Sequence, residues 1–227
     1  MRTHKCIKEL KEKYNYQFDD ISQDEVEEIV SNLLGHFKID GIRTPIVDIS
    51  NKLGFTVNHY SFDKIEVTLD NKRINAFFGV GIDFDTSENS NFFMIEKNLD
   101  NETKKFLIAY LLTHYIFKIK DDETDFYTYG CYSKDMHNDL MTRFALTLLM
   151  PKEKFLALQE FISMTYETSH KYIDEDILIN QMAKIFFVSP EMIRFRKKMI
   201  NKQLQLNKAT QEQGFIQEEV VFPGYYV

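Results

Sequence analysis

Apolar positions recur at helical spacing over 5–14 and again over 23–37, where Val26, Ile29, Val30, Leu33 and Leu34 fall on one face. Ser22 or Asp24 supplies a cap in front of the second run. In "TPIVDISNKLG", Pro45 opens a short helix that reaches Leu53, and Gly54 closes it. The period then shortens. "FTVNHYSF", "KIEVTL", "NAFFGVGI" and "NFFMIE" alternate as strands do and predict a small antiparallel sheet, with a turn at Asp70–Lys72. Asp100 or Asn101 can cap the next helix, Glu102 to Phe117. Its apolar residues (Phe106, Leu107, Ile108, Leu111, Leu112, Tyr115, Ile116) lie on nearly every side, which assigns it to the core. The acidic loop "KDDETDFYTYG" leads to a further helix, Asp135 to Met150, and Pro151 takes the first position of the one after it. Beyond "ETSHKYIDED", the segment "DILINQMAKIFFVSPEMIRFRKKMI" reads as two helices around a turn, followed by a tail.

Composition narrows the class. The chain has 227 residues, 44% apolar and 28% charged, which suits one sizeable soluble core. No stretch approaches the roughly eighteen uninterrupted apolar residues of a membrane span. The N-terminal "MRTHKCIKELKEKYN" lacks the apolar centre of an export signal, and Cys6 and Cys131 form no CxxC pair. Reduced thiols and a cytoplasmic location are the expectation. A net charge of −7 opposes broad, non-specific nucleic-acid binding.

One local segment runs against that balance. Ser189 caps a helix with Pro190 at its first position and Glu191 near its positive end, and Arg194, Arg196, Lys197, Lys198 and Lys202 follow. Such a helix could lie along DNA phosphates. Equally, its cations could favour the helix dipole and solvate one face, while Ile193, Phe195 and Met199 pack inward. Phe187 stands where a turn of this kind usually has a glycine, which weakens the DNA reading.

The order of "P-x-x-D-I-x-x-K-L-G", a small sheet, "FFMIEKN" running into "KKFLIAYLLTHYIF", then "RFALTLLMP", resembles the ImmA/IrrE family of zinc metallopeptidases. Family members typically read RFTIAHELGHYLL at the second motif, where this chain keeps Ile108, Ala109, His114 and Tyr115. They read E-x-x-A-N-x-F-A-x-x-LLMP at the third, where Phe144, Ala145, Leu148, Leu149, Met150 and Pro151 are kept. "LINQMAKIFFVSPEMIRFRKKM" is similar to the family's closing helix-turn-helix-like piece. The resemblance covers about residues 40–200 and implies an α+β fold: a mainly helical zincin-like domain with a small antiparallel sheet, then a helix-turn-helix-like segment. The boundaries it suggests are N-terminal helices over 1–38, the zincin-like domain over 39–165, the helix-turn-helix-like segment over 166–205 and a tail over 206–227.

The chemistry implied by that resemblance is incomplete. Residues four apart share a helix face, so two histidines at that spacing can hold one zinc ion. Here the pentapeptide is Tyr110-Leu111-Leu112-Thr113-His114, with Tyr110 at the first ligand position, Leu111 at the general base and only His114 retained. The third ligand, a glutamate in the family, falls on Asn138. Loss of a general base alone costs about 10²–10⁴ in rate, and an amide is a poor zinc ligand beside a carboxylate. A phenolate at Tyr110 is costly against an ordinary pKa of about 10. A shifted site drawn from His114, His137 and Asp139, with Asp135 nearby, is the alternative. The preferred reading of His114 is a core histidine, hydrogen-bonded to Tyr110 or Asn138 and packed under the sheet, and His4, His36, His59 and His170 read as surface residues.

The expectation is therefore a non-catalytic member with no cofactor. It would act by binding a protein partner of repressor or other regulatory type, as a regulator or antirepressor of a helix-turn-helix repressor in a phage, mobile element or defence system. An active zinc peptidase with non-standard ligands is the alternative from another class. A DNA-binding regulator using Arg194, Arg196, Lys197 and Lys198 within 190–202 is the third.

Overall fold

The computed structural model describes residues 21–62, 68–69, 72–82, 89–118, 127–130, 140–169 and 173–218. The first described helix, α1 (Gln23–His36), starts at a capping box: Ser22 accepts from the Glu25 amide, and the Glu25 carboxylate accepts from the Ser22 amide at 2.8 Å. The hydrogen bonds from Ser22 hold the Glu25 carboxyl below its usual range. Val26, Ile29, Val30, Leu33 and Leu34 form its buried stripe, as the spacing requires. Helix α2 (Ile46–Lys52) follows Pro45, and Gly54 takes a φ of +87° that permits the abrupt turn into the sheet.

Five strands form one sheet among the described residues: β1 (Phe55–Tyr60), β2 (Thr68–Leu69), β3 (Lys72–Ile82), β4 (Asn89–Glu96) and β5 (Tyr127–Gly130). The order is β1-β4-β3-β2, with β5 also on β3. Here the antiparallel expectation needs correction, because β1 and β4 run parallel, with Phe55 opposite Asn91 and Tyr60 opposite Glu96. The remaining pairings are antiparallel, so the sheet is mixed. A parallel neighbour needs a long crossover, and the β2–β3 hairpin between β1 and β4 in the chain provides it.

Glu96 locks the shared end of the parallel pair. Its buried carboxylate accepts from the amides of Phe62 at 2.7 Å and Asn98 at 3.0 Å. The chain then enters α3 (Asn101–Lys118), capped by Asp100, whose carboxylate accepts from the amide and the hydroxyl of Thr103, each at 2.7 Å. Partial desolvation pushes the Asp100 carboxyl up, but those hydrogen bonds outweigh it and leave it below its usual range.

Helix α3 is the centre of the molecule: every residue from Phe106 to Phe117 is buried. Tyr115 meets Phe55 edge-on at 4.5 Å beneath the sheet, and Phe55 stacks on Phe93 at 4.4 Å. On another side Phe117 meets Phe144 of α4 (Leu140–Leu149) at 4.9 Å. Pro151 is the N-cap of α5 (Lys152–Thr168) rather than its first helical residue as expected. Helices α6 (Glu175–Phe186) and α7 (Pro190–Glu218) complete the described chain.

One apolar cluster draws on α1, α2, the sheet and every later helix, from Ile21 to Ile200. The expected tail is partly helix, since α7 continues to Glu218. Its polar C-terminal part has no amphipathic period to announce it, yet lysine, glutamine, alanine and glutamate propagate a helix well. No described helix is long and apolar enough to cross a membrane. The expected helix over 5–14, Cys6, Cys131, His4, His170, the remainder of the tail and the turn residues Asp70 and Asn71 lie outside the described residues.

Candidate functional site

Phe106, Tyr110 and His114 succeed one another at four-residue spacing along α3 and form an aromatic ladder on one face. The Phe106 and Tyr110 ring centroids are 5.9 Å apart, and those of Tyr110 and His114 are 5.0 Å apart with planes at 55°. Tyr110 is 4% exposed and His114 2%. The adjacent Leu111 is wholly buried and belongs to the continuous apolar cluster. Thr113 turns its hydroxyl back to the Ala109 carbonyl at 2.8 Å, satisfying itself within the helix.

The structure therefore brings Tyr110 and His114 together and sets Leu111 beside them in the core. Asn138, His137, Asp139 and Asp135 lie outside the described residues, as does the join between β5 and α4. His36 and His59 are exposed. The face of α3 bearing the ladder offers an imidazole and a phenol, and the position beside them offers only carbon. A leucine neither accepts a proton from water nor returns one to a leaving amine.

The closing helices resolve differently from the basic surface expected. Arg196 is 0% exposed: its Nε donates to the Met150 carbonyl at 2.9 Å and its Nη2 to Glu27 at 2.6 Å. It cannot reach a phosphate from there, so its expected nucleic-acid role is withdrawn. The reason is periodic. Ile193, Arg196, Ile200 and Gln203 fall on the buried stripe of α7, and Arg196 enters the core carrying its own counter-ion. Arg194 and Lys197 face outwards but are engaged with α6, Arg194 with Asp176 at 2.8 Å and Lys197 with Glu175 at 2.9 Å. Lys198 and Lys202 are exposed.

Two residues that carried no signal in the sequence clamp the turn between these helices. Phe187 adopts the left-handed conformation, φ 59° and ψ 57°, and ends α6. Arg43 donates to the carbonyls of Ile185 and Lys184 at 2.7 and 3.0 Å, and Lys105 donates to that of Phe186 at 2.8 Å. Both cations also lie over the Phe187 ring, at 5.6 and 6.0 Å from its centre. Two cations at a helix C-terminus suit its dipole. Burial, with repulsion from Arg43 added, pushes the Lys105 ammonium down to about 8.

A family model, the IrrE N-terminal-like domain of the peptidase M78 group, matches residues 62–198. That span runs from the end of β1 into α7 and holds the whole Tyr110–His114 ladder. No curated protein and no solved structure gives a match.

Proposed function

The chain belongs to the IrrE N-terminal-like domain family, and from that premise we propose that it is a non-catalytic member acting by protein binding. Its partner in this reading is a regulator, a repressor of helix-turn-helix type being the first candidate. The single observation that carries the reading is Leu111, wholly buried in the core at the position where the resemblance puts the general base. Hydrolysis of an amide needs a group there that handles protons. Tyr110 supports the same reading, because a neutral phenol packed against His114 is a poor substitute for a second imidazole. The framework that would recognise a regulator (the sheet, α3 and the helices around them) is kept as one packed core.

Zinc ligation by His114 with His137 and Asp139, Asp135 being nearby, is the competing reading, and metal stoichiometry separates the two. The protein is purified without chelator or metal-affinity resin, and transition metals are counted per chain. A value near zero, with no cleavage of a co-expressed repressor, is the expected result. About one zinc per chain, lost in His114→Ala together with repressor cleavage, would replace the proposal with an active peptidase.

A further inference from the structure

Phe187 stands where a glycine would hold the turn at no steric cost. Its φ of 59° lies in the left-handed region, yet its ring is not taken into the core and is 37% exposed. Arg43 and Lys105 lie over that ring and donate to the successive carbonyls of Lys184, Ile185 and Phe186, so two full charges converge on one helix end. Among the described residues neither pairs with a carboxylate. Arg194 and Lys197, by contrast, each have an acidic partner on α6. A helix C-terminus answers with only about half an elementary charge, so the pair at Phe187 stays net positive. Beside its burial, Lys105 feels the repulsion of Arg43. Both side chains also keep donors in hand: the exposed Arg43 uses Nε and one hydrogen of Nη2, and Lys105 uses one of three.

We infer that Arg43, Lys105 and Phe187 form a docking point for a carboxylate of a partner protein, an aspartate or glutamate beside an apolar residue. The inference rests on the protein-binding reading above and gives it a surface and a partner chemistry. With the cations over the ring, a carboxylate meets them at the ring's edge, where the aromatic quadrupole is positive. There the spare N–H groups of Arg43 and Lys105 donate to its oxygens as charge-assisted hydrogen bonds. The exposed part of the ring receives the apolar neighbour. Phe106, Phe186 and Val188, which adjoin these groups in the chain, are buried in the common core, so little ordering is needed on binding. Nucleic acid fits less well, because a phosphate backbone is held by a row of cations and here two converge on one point.

The probe is a labelled hexapeptide of glutamates and leucines, titrated with the full chain by fluorescence anisotropy. Its comparisons are the same peptide with glutamine for glutamate, inorganic phosphate and a duplex DNA. Saturable binding of the acidic peptide is expected, weakening with salt. It should fall about tenfold or more in Arg43→Gln/Lys105→Gln, where amide donors can still serve the carbonyls but both charges are gone. Phe187→Gly, which keeps the turn and removes the ring, should also weaken it. Lys198→Gln/Lys202→Gln, which removes two exposed lysines of α7, should leave it unchanged. Circular dichroism verifies that each variant is folded, and Lys105→Gln alone carries the same expectation if the double variant is not. No saturable binding, equal binding of the glutamine peptide, or equal loss in both double variants overturns the inference. Phosphate or DNA bound more tightly than the peptide, and lost in Arg43→Gln/Lys105→Gln, overturns a partner protein as the source of the anion. The two readings fail separately: zinc bound through His114 removes the non-catalytic reading and leaves the titration standing.

Discussion

Arg196 Nη2 lies 2.6 Å from Glu27 Oε1, joining α7 to α1 with the guanidinium wholly withdrawn from solvent. The same side chain reaches the Met150 carbonyl at the end of α4, so one cation holds three helices. Burial pulls its pKa down and Glu27 opposes that pull. A buried charge left without its partner is expensive, whereas apolar replacement of both partners can be close to neutral. Glu27→Ala is therefore expected to lose about 3–5 kcal/mol in urea denaturation. Arg196→Met/Glu27→Leu should be more stable than Glu27→Ala alone. Additive costs across the double-mutant cycle would show that the two side chains are not coupled.

Lys105 gives the molecule an alkaline signature. Burial and then Arg43 depress its pKa from 10.5 to about 8. Between those values the unfolded chain binds the proton and the folded chain does not, so stability rises with pH. This contribution is complete above 10.5 and is lost as pH falls through 8. The shift sets a ceiling of about 3 kcal/mol, which solvent screening lowers because the ammonium is only partly buried. Urea midpoints of the wild type and Lys105→Met at pH 7, 8.5 and 10 should diverge in the wild type's favour as pH rises. A gap that closes or stays flat would reject the depressed pKa.

Phe187 pays a conformational cost that glycine would not. An L-residue in the left-handed region costs roughly 1–2 kcal/mol, offset here by the cations of Arg43 and Lys105 against its ring. Phe187→Ala keeps the backbone cost and loses the ring. Phe187→Gly loses the ring and relieves the backbone. The glycine variant should thus be the more stable of the two by about 1 kcal/mol, read from thermal unfolding. The reverse order would mean that the turn relaxes out of the left-handed region when the ring is removed.

Much of the fold was legible because its signals are local. The expected helix from Glu102 to Phe117 differs from α3 by one residue at each end, since Asp100 is a strong cap and apolar residues fill the interval. Ser189 and Pro190 announce the start of α7, with the Met192 amide donating to the Ser189 hydroxyl at 3.3 Å. Strand direction was not legible. Alternation in "FTVNHYSF" decides which residues face the core, but it contains nothing about which strand lies alongside. Arg196 reads as a surface cation from its charge, whereas its spacing from Ile193 and Ile200 puts it on the buried stripe. Of the candidate site, the identities at 110, 111 and 114 were legible. The hydrogen bond from Gln203 to Asp24 was not, because it depends on how α1 meets α7.

Leu111 allows the lost chemistry to be tested from the side of stability. Truncation to alanine should cost about 2–5 kcal/mol, as for other fully buried leucines. Leu111→Glu should cost at least as much, because a carboxylate must leave water for a site packed with carbon. Adding Tyr110→His restores the family's His-Glu-x-x-His spelling without restoring the surroundings that would pay for the charge. The double variant is therefore expected to melt well below the wild type and to bind no stoichiometric zinc. A double variant that folds with wild-type stability and takes up one zinc per chain would mean that the surrounding helix faces still suit a metal. The loss at 110 and 111 would then be a change of two side chains, and the non-catalytic state of the framework would be reversible.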